Sequence, residues 1–282
     1  MGLEKIASGR EFATNLKALE RYINKKPTVL MSAEIGGGNA FVSLWAGAML
    51  QLPVLDADLI GRAFPELQMN SCTLFGNAAS PVFMADALGN HLILESNDIQ
   101  TVERMARQLS IAMGSRAAVA IHVMDGEQAK KSVVAGSVTR AISIGRALKQ
   151  KNPTEAVLKE VSGVKLSSGT IVDVSLEISG GFLKGKVTLM SEEGKPVFLL
   201  YQNEYLLASQ GDKILATTPD ILMLLEQGTG VPVTSDALRY GLRVDLIAFN
   251  PPEIWTSERG LELVGPRYFG YQTDYIPIRS EK

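Results

Sequence analysis

The run Thr28-Val29-Leu30-Met31-Ser32-Ala33, followed at once by Glu34-Ile35-Gly36-Gly37-Gly38-Asn39, constrains this chain more than any other stretch. An apolar, alanine-rich segment continues to Leu50, and a second extended run, Leu52-Pro53-Val54-Leu55, comes after it. Strand, glycine turn, helix, strand is the order of a βαβ unit, which crosses over right-handed. Ligands of α/β sheets collect where the carboxyl ends of such strands meet glycine-rich turns. The second run ends in Asp56-Ala57-Asp58-Leu59-Ile60-Gly61-Arg62-Ala63-Phe64-Pro65-Glu66. Two strand ends, one rich in glycine and both carrying carboxylates, therefore predict a pocket floor that is the active site.

The rest of the chain divides by texture. Phe12 to Asn24 has helical spacing of Leu16, Leu19, Tyr22 and Ile23. Asn39 is a reasonable cap for the helix to Leu50. Ser71 to Phe75, Pro81 to Ala85 and His91 to Glu95 read as short strands. Asp98 caps a helix to Ala112, Ala117 to Val123 is a buried strand, and Ser137 caps a helix to Lys149. A last helix, Glu155 to Val161, leads out of the first region. From Gly163 onward, strands alternate with glycine turns: Thr170 to Ile178, Phe182 to Met190, Val197 to Gln202, Tyr205 to Ser209, Lys213 to Thr217, Ile221 to Leu225 and Leu242 to Phe249. Thr256 caps a short helix to Val264. The expected architecture is a Rossmann-like α/β domain over residues 1–160 followed by a β-rich domain, a barrel or sandwich, over residues 161–282.

Composition narrows the function classes. Charged residues make up 21% of the 282 and the net charge is −2, so no electrostatic footprint for nucleic acid exists. Cys72 is the only cysteine, which excludes an intrachain disulfide and a cysteine zinc cluster. Ten methionines beside one cysteine suit a reducing cytoplasm. No apolar run has the length of a membrane span, and Met1-Gly2-Leu3-Glu4-Lys5 lacks the core of a secretory signal. The glycine turn lacks the Gly-x-Gly-x-x-Gly and Gly-Lys-Ser patterns, so no nucleotide cofactor is expected.

The segments Glu34–Asn39, Asp56-Ala57-Asp58, Gly61–Met69 and Ile144-Gly145-Arg146-Ala147 resemble the first part of the S-methyl thiohydantoin desulfurase domain family. Gln202-Asn203-Glu204, Thr218-Pro219-Asp220, Tyr240–Val244 and Gly265–Tyr271 resemble its second domain. The resemblance implies a hydrolase acting on a hydantoin or thiohydantoin ring, by desulfuration or ring hydrolysis. It also implies a small-molecule ring substrate, and a homo-oligomer is expected. Members of that family begin with a further glycine-rich βα segment ahead of the Phe12 helix. A pocket shared with such a segment would be incomplete here, which motivates the alternative of a non-catalytic ligand-binding or regulatory subunit of a hydantoin-utilisation system.

Hydrolysis at a C=S or amide carbon needs an activated water and a stabilised anion. Asp56, Asp58 and Glu66 are the candidate catalytic carboxylates, positioning water or a divalent metal ion; hard oxygen ligands favour Mg²⁺ or Mn²⁺. Turn formation and capping are the structural alternative for the aspartates. Glu34, Gly36, Gly37, Gly38 and Asn39 are the candidate substrate-binding wall, the glycines presenting amides at a helix start. Close helix-on-strand packing is their alternative. Arg62 is either an ion-pair partner of the aspartates or a clamp on a substrate carboxylate. His122 is a base, a ligand or a buried structural residue. Cys72 reads as a buried thiol. Core packing is the reading for Tyr268, Phe269, Tyr271 and Tyr275.

Overall fold

The computed structural model describes residues 9–278; the Met1–Lys5 stretch read for a signal lies outside them. Two compact units are formed. The first is Met1–Gly61 with Glu66–Val138, and the second is Arg62–Pro65 with Thr139–Lys282. Sequence texture put the boundary near residue 160, but residues 139–161 pack within the second unit.

The first unit begins with α1 (Arg10–Ile23) and α2 (Asn39–Leu50). The two-residue β1 (Ala57–Asp58), the single-turn α3 (Ser71–Leu74), β2 (Val82–Ala85) and β3 (His91–Leu94) follow. Then come α4 (Ile99–Ala112), β4 (Ala118–Ala120), α5 (Gly126–Ser132), β5 (Val134–Ala135) and the start of α6 (Ser137–Ala147). β2 is the centre of a three-stranded antiparallel sheet in the order β3-β2-β4. Its alternation serves two faces at once. Phe83 packs under Ala18 and Leu19 of α1, while Val82 and Met84 pack against Val102 and Ala106 of α4. Asn15 of α1 donates to the carbonyls of Phe83 and Ala118.

The expected Rossmann-like parallel sheet is not found among the described residues. What remains of the βαβ unit is one parallel bridge, Leu30 to Val54, across α2. Pro53 has no N–H to extend the ladder. Beyond Leu55 the chain turns away to pair antiparallel with β5, Ala57 opposite Ala135 and Asp58 opposite Val134. Ser71 to Phe75, expected as a strand, is a helical turn because the Asn70 side chain accepts the Thr73 N–H. Asn39 does not cap α2: the cap position is Gly38, and the Asn39 amide donates to Glu34 instead. The close approach of helix to strand occurs at Gly47. A Cβ there would lie 2.5 Å from Val54 Cγ2 and 2.9 Å from the Leu52 carbonyl oxygen.

The second unit carries the rest of α6 and α7 (Pro153–Val161), with proline in its first turn. Seven strands then follow: β6 (Val164–Ser179), β7 (Phe182–Ser191), β8 (Pro196–Gln202), β9 (Glu204–Gln210), β10 (Lys213–Thr217), β11 (Ile221–Glu226) and β12 (Pro232–Val233). β13 (Arg243–Phe249) and α8 (Glu258–Val264) complete it, with Ser257 rather than Thr256 capping α8. The strands form one antiparallel sheet in the order β10-β9-β8-β7-β6-β13-β11-β12. The sheet curls, since Tyr205 on β9 donates its hydroxyl to the Val233 carbonyl on the far edge strand, 2.9 Å away. Ile171, Leu189, Leu199, Leu224 and Leu246 fill the core inside that curve. Val157 of α7 covers the other face against Leu225 and Ile247. No helix among the described residues is long and apolar enough to cross a membrane.

Alanine at position 47 gains about 1 kcal/mol of helix propensity over glycine. It also drives a methyl into Val54 and the Leu52 carbonyl, so Gly47→Ala is expected to lose about 1–3 kcal/mol net in urea unfolding. A stabilised variant would show that α2 is not held this close to Val54.

Candidate functional site

Asp58 is the point where the two sequence motifs meet. The residue is fully buried. Its Oδ2 accepts the Ile35 N–H at 2.9 Å, and its Oδ1 accepts the Gly61 N–H at 2.8 Å and lies 2.7 Å from Ser137 Oγ. The Leu59 N–H also donates to the Ala33 carbonyl, so the glycine-turn segment and the aspartate segment are bonded at two places. Burial pushes the Asp58 carboxyl above its usual range, while the bonds from Ser137, Ile35 and Gly61 oppose that shift. Ser137 Oγ also lies 2.7 Å from the Val134 carbonyl, so one hydroxyl proton serves two acceptors.

Asp56, two residues earlier, is exposed. It caps the start of α6, accepting the Val138 N–H on Oδ1 and the Gly136 N–H on its main-chain oxygen. Three consecutive residues, Gly136 to Val138, thus hold both aspartates. Sequence reading gave Ser137 a capping role in α6; its bond to Asp58 spans 79 residues and has no local signature. Glu34 is half-buried and accepts the Asn39 amide at 2.7 Å. Gly37, Gly38 and Asn39 are exposed, and a Cβ at Gly37 or Gly38 would meet nothing within 4 Å. The packing explanation for these two glycines therefore fails. Glu66 accepts a bond from Gln68 Nε2.

Arg62 belongs to the second unit. It is buried, and Nη1 donates to the carbonyls of Pro219 (2.7 Å) and Asp220 (2.8 Å). Nε donates to Ala63 O, and Nη2 lies 3.4 Å from Tyr205 O. Its guanidinium sits 4.5 Å from the centre of the Phe64 ring, which meets Trp255 edge-on. Burial pulls its pKa down to about 10, against the charges of Glu204 and Asp220. These partners give Arg62 a role inside the fold, joining the Glu204 and Asp220 motifs. Asp220 is fully buried too, and accepts from Tyr275 Oη at 2.7 Å and from the Ile278 N–H at 3.2 Å. Burial raises its carboxyl to about 6.

Among the described residues no group of three or more His, Cys, Asp or Glu side chains could hold a metal ion. The oxygens of Asp58 already accept N–H and O–H donors, so this carboxylate does not suit a resident divalent ion. His122 is buried, with its Nδ1 bonded to Ala78 O at 3.1 Å and its Nε2 without a hydrogen-bond partner. Burial lowers its pKa to about 4, so it stays neutral. Cys72 is buried with its thiol pushed up to about 11, which removes nucleophilic character.

A mixed helix-and-strand protein with a large antiparallel sheet and a buried-aspartate knot at a glycine turn is the class defined so far. Residues 1–96 match the family model "S-Me-THD-like, N-terminal domain", and residues 96–278 match "S-Me-THD-like, C-terminal domain". The chain belongs to this S-methyl thiohydantoin desulfurase-like family. It is similar to a crystal structure of a protein from Chromobacterium violaceum, at 26% identity and a TM-score of 0.81, over 95% of this chain and 78% of that one. No curated protein matches it.

Asp220 generates a pH signature. Its folded pKa, about 6, lies above the ordinary 3.8, so the stability linked to its protonation is complete below 3.8 and lost as pH rises through about 6. Relative to Asp220→Asn, the wild type is expected to lose on the order of 2 kcal/mol between pH 4 and pH 7. Parallel pH profiles of unfolding free energy for the two proteins would contradict this.

Proposed function

We propose that this protein is a hydrolase acting on a hydantoin or thiohydantoin ring, by desulfuration or ring hydrolysis. The reaction is assigned in this reading to Glu34, the Gly36–Asn39 turn and Asp56. One observation carries the placement: the Asp58 carboxylate accepts the Ile35 N–H and so binds the glycine turn to the aspartate segment. The family to which the chain belongs supports the substrate class.

The chemistry follows from the residue types. Asp56 is an exposed carboxylate able to take a proton from water as its oxygen attacks the ring carbon. Amides at the start of α2 face the charge that then develops on the ring. For a sulfur-bearing carbon, the C–O bond forms and the C–S bond breaks. The sulfur leaves as a thiol or hydrogen sulfide with the proton returned by the carboxylate, and a carbonyl remains. Asp58 and Ser137 act as positioning residues, holding turn and carboxylate together from below.

A second reading is a non-catalytic ring-binding or regulatory subunit. The observation in its favour is that Asp58 and Arg62 are both committed to fold-internal partners.

Asp56→Asn separates charge from structure, because the amide oxygen still accepts the Val138 N–H. It is expected to lower kcat about 10²–10³-fold with little change in Tm, read by thiol release or ring-opening product. Undiminished turnover would remove Asp56 from the chemistry. Wild-type binding of hydantoins without any product would select the second reading.

Gly38→Ala probes the other wall. The added methyl meets nothing in the fold and φ is an ordinary −64°, so stability is expected to stay within about 0.5 kcal/mol. Turnover or ring affinity is expected to fall at least tenfold. A Gly38→Ala variant with unchanged kcat and KM would show that no ligand approaches this turn.

A further inference from the structure

We infer that the segment Gln272–Ile278 is a detachable strap on the second unit, latched through the Asp220 carboxylate and able to lift away while the sheet stays folded. The segment contains no helix or strand. Gln272 and Asp274 bond backward, to the Gly270 carbonyl and to Arg267, within the turns that follow α8. Among the described residues, two hydrogen bonds join the segment to the sheet and its loops, and both end on one side chain. Tyr275 Oη donates to Asp220 Oδ1 at 2.7 Å, and the Ile278 N–H donates to Oδ2 at 3.2 Å. Apolar contact adds little. Ile278 packs half-buried on the core inside the curved sheet, whereas Ile276 is 60% exposed and Gln272, Asp274 and Pro277 are exposed too. Every residue held in place loses backbone entropy, and a segment with so few buried contacts opens before the fold does.

The anchor does not need the strap. The Asp220 N–H donates to the Thr217 carbonyl at 3.0 Å, and the Asp220 carbonyl accepts from Arg62 Nη1 at 2.8 Å. Facing the carboxyl are Tyr275 on the strap and the Arg62 guanidinium, which Glu204 at the start of β9 also attracts. Burial holds the carboxyl at about 6, against the bonds from Tyr275 and Ile278 and the charge of Arg62. Once the strap lifts, the carboxylate regains water and moves towards its ordinary 3.8. Docking therefore favours the protonated form: the latch is complete below 3.8 and weakens as pH rises through about 6. By this linkage a rise from pH 5 to pH 8 weakens docking about tenfold. The Tyr275 hydroxyl can accept as well as donate, so its bond survives protonation of Asp220. Lifting uncovers Asp220 and the core side chains that Ile278 touches, which turns a pH change into exposure of one part of the sheet.

Hydrogen exchange of the full chain tests the latch, read on the Ile278 amide and on the amides of β13, each divided by its intrinsic rate at that pH. The Ile278 amide is expected to be at least a hundredfold less protected than those of β13, and to lose about a further tenfold between pH 5 and pH 8. Low urea is expected to speed exchange in β13 and leave Ile278 unchanged, because lifting the strap exposes little surface. Asp220→Asn is expected to remove the pH dependence at Ile278. Tyr275→Phe keeps the test open if that variant fails to fold, and is expected to speed Ile278 exchange about tenfold at pH 5 by deleting one of the two ties. Ile278 exchange that matches β13 in protection or in urea dependence would overturn the strap. A wild-type profile flat between pH 5 and pH 8, an Asp220→Asn profile that still varies with pH, or a Tyr275→Phe rate equal to the wild type would overturn the latch.

Discussion

The first unit depends on one buried carboxylate. Removing a carboxylate from water costs several kcal/mol unless hydrogen bonds replace the lost solvation. Asp58 meets that cost with donors from three separate places: Ile35 after the first extended run, Gly61 in its own loop and Ser137 at the start of α6. Each donor would be costly to leave alone in a buried position. The arrangement is therefore mutual, with the segments ordering the carboxylate and the carboxylate ordering the segments. Asp56 can stand at the surface with a defined orientation because the same three residues, Gly136 to Val138, hold it as well.

Four residues further along, Arg62 solves the opposite problem by the same means. Its charge is buried in the second unit, and main-chain carbonyls of Ala63, Pro219 and Asp220 accept its protons. Glu204 and Asp220 supply compensating charge. Asp220 then extends the network outward to Tyr275 and Ile278 near the end of the described chain. Adjacent motif residues thus serve different units, since Gly61 closes one segment of the first and Arg62 opens the second. A motif that reads as one pocket wall in sequence is, in space, two structural anchors with one exposed carboxylate bonded to the start of α6.

The second unit was legible where physics is local. Period-two runs punctuated by Gly180-Gly181, Gly194 and Gly211 mark strands without help from distant contacts, and β6 to β11 and β13 lie where those runs fall. Capping was legible at Asp98, whose carboxylate accepts from Gln100 and Thr101. The first unit was less legible because its decisive pairings are long-range. Nothing near Asp58 announces Ser137 or Val134, so the segment after Val54 reads as a strand end rather than half of an antiparallel pair. The apolar run at Ser71 reads as a strand because four residues carry too little periodicity to separate strand from helix, and the Asn70 cap decides it.

The glycine turn shows how geometry can leave a functional reading standing after the structural ones are spent. Glycine is costly in a chain because it loses the most entropy on folding, so a fold that retains it has a reason. At Gly47 the reason is Val54, and at Gly37 it is a φ of +50°. Gly38 has neither. Its backbone is in the ordinary helical region, a Cβ would enter open space, and no side chain caps the helix start. The position is exposed, beside Asn39 and the Glu34 carboxylate it bonds. Under the proposed function, the bare helix start is room for what approaches it from outside. In that proposal, what approaches is a small planar ring with polar edges.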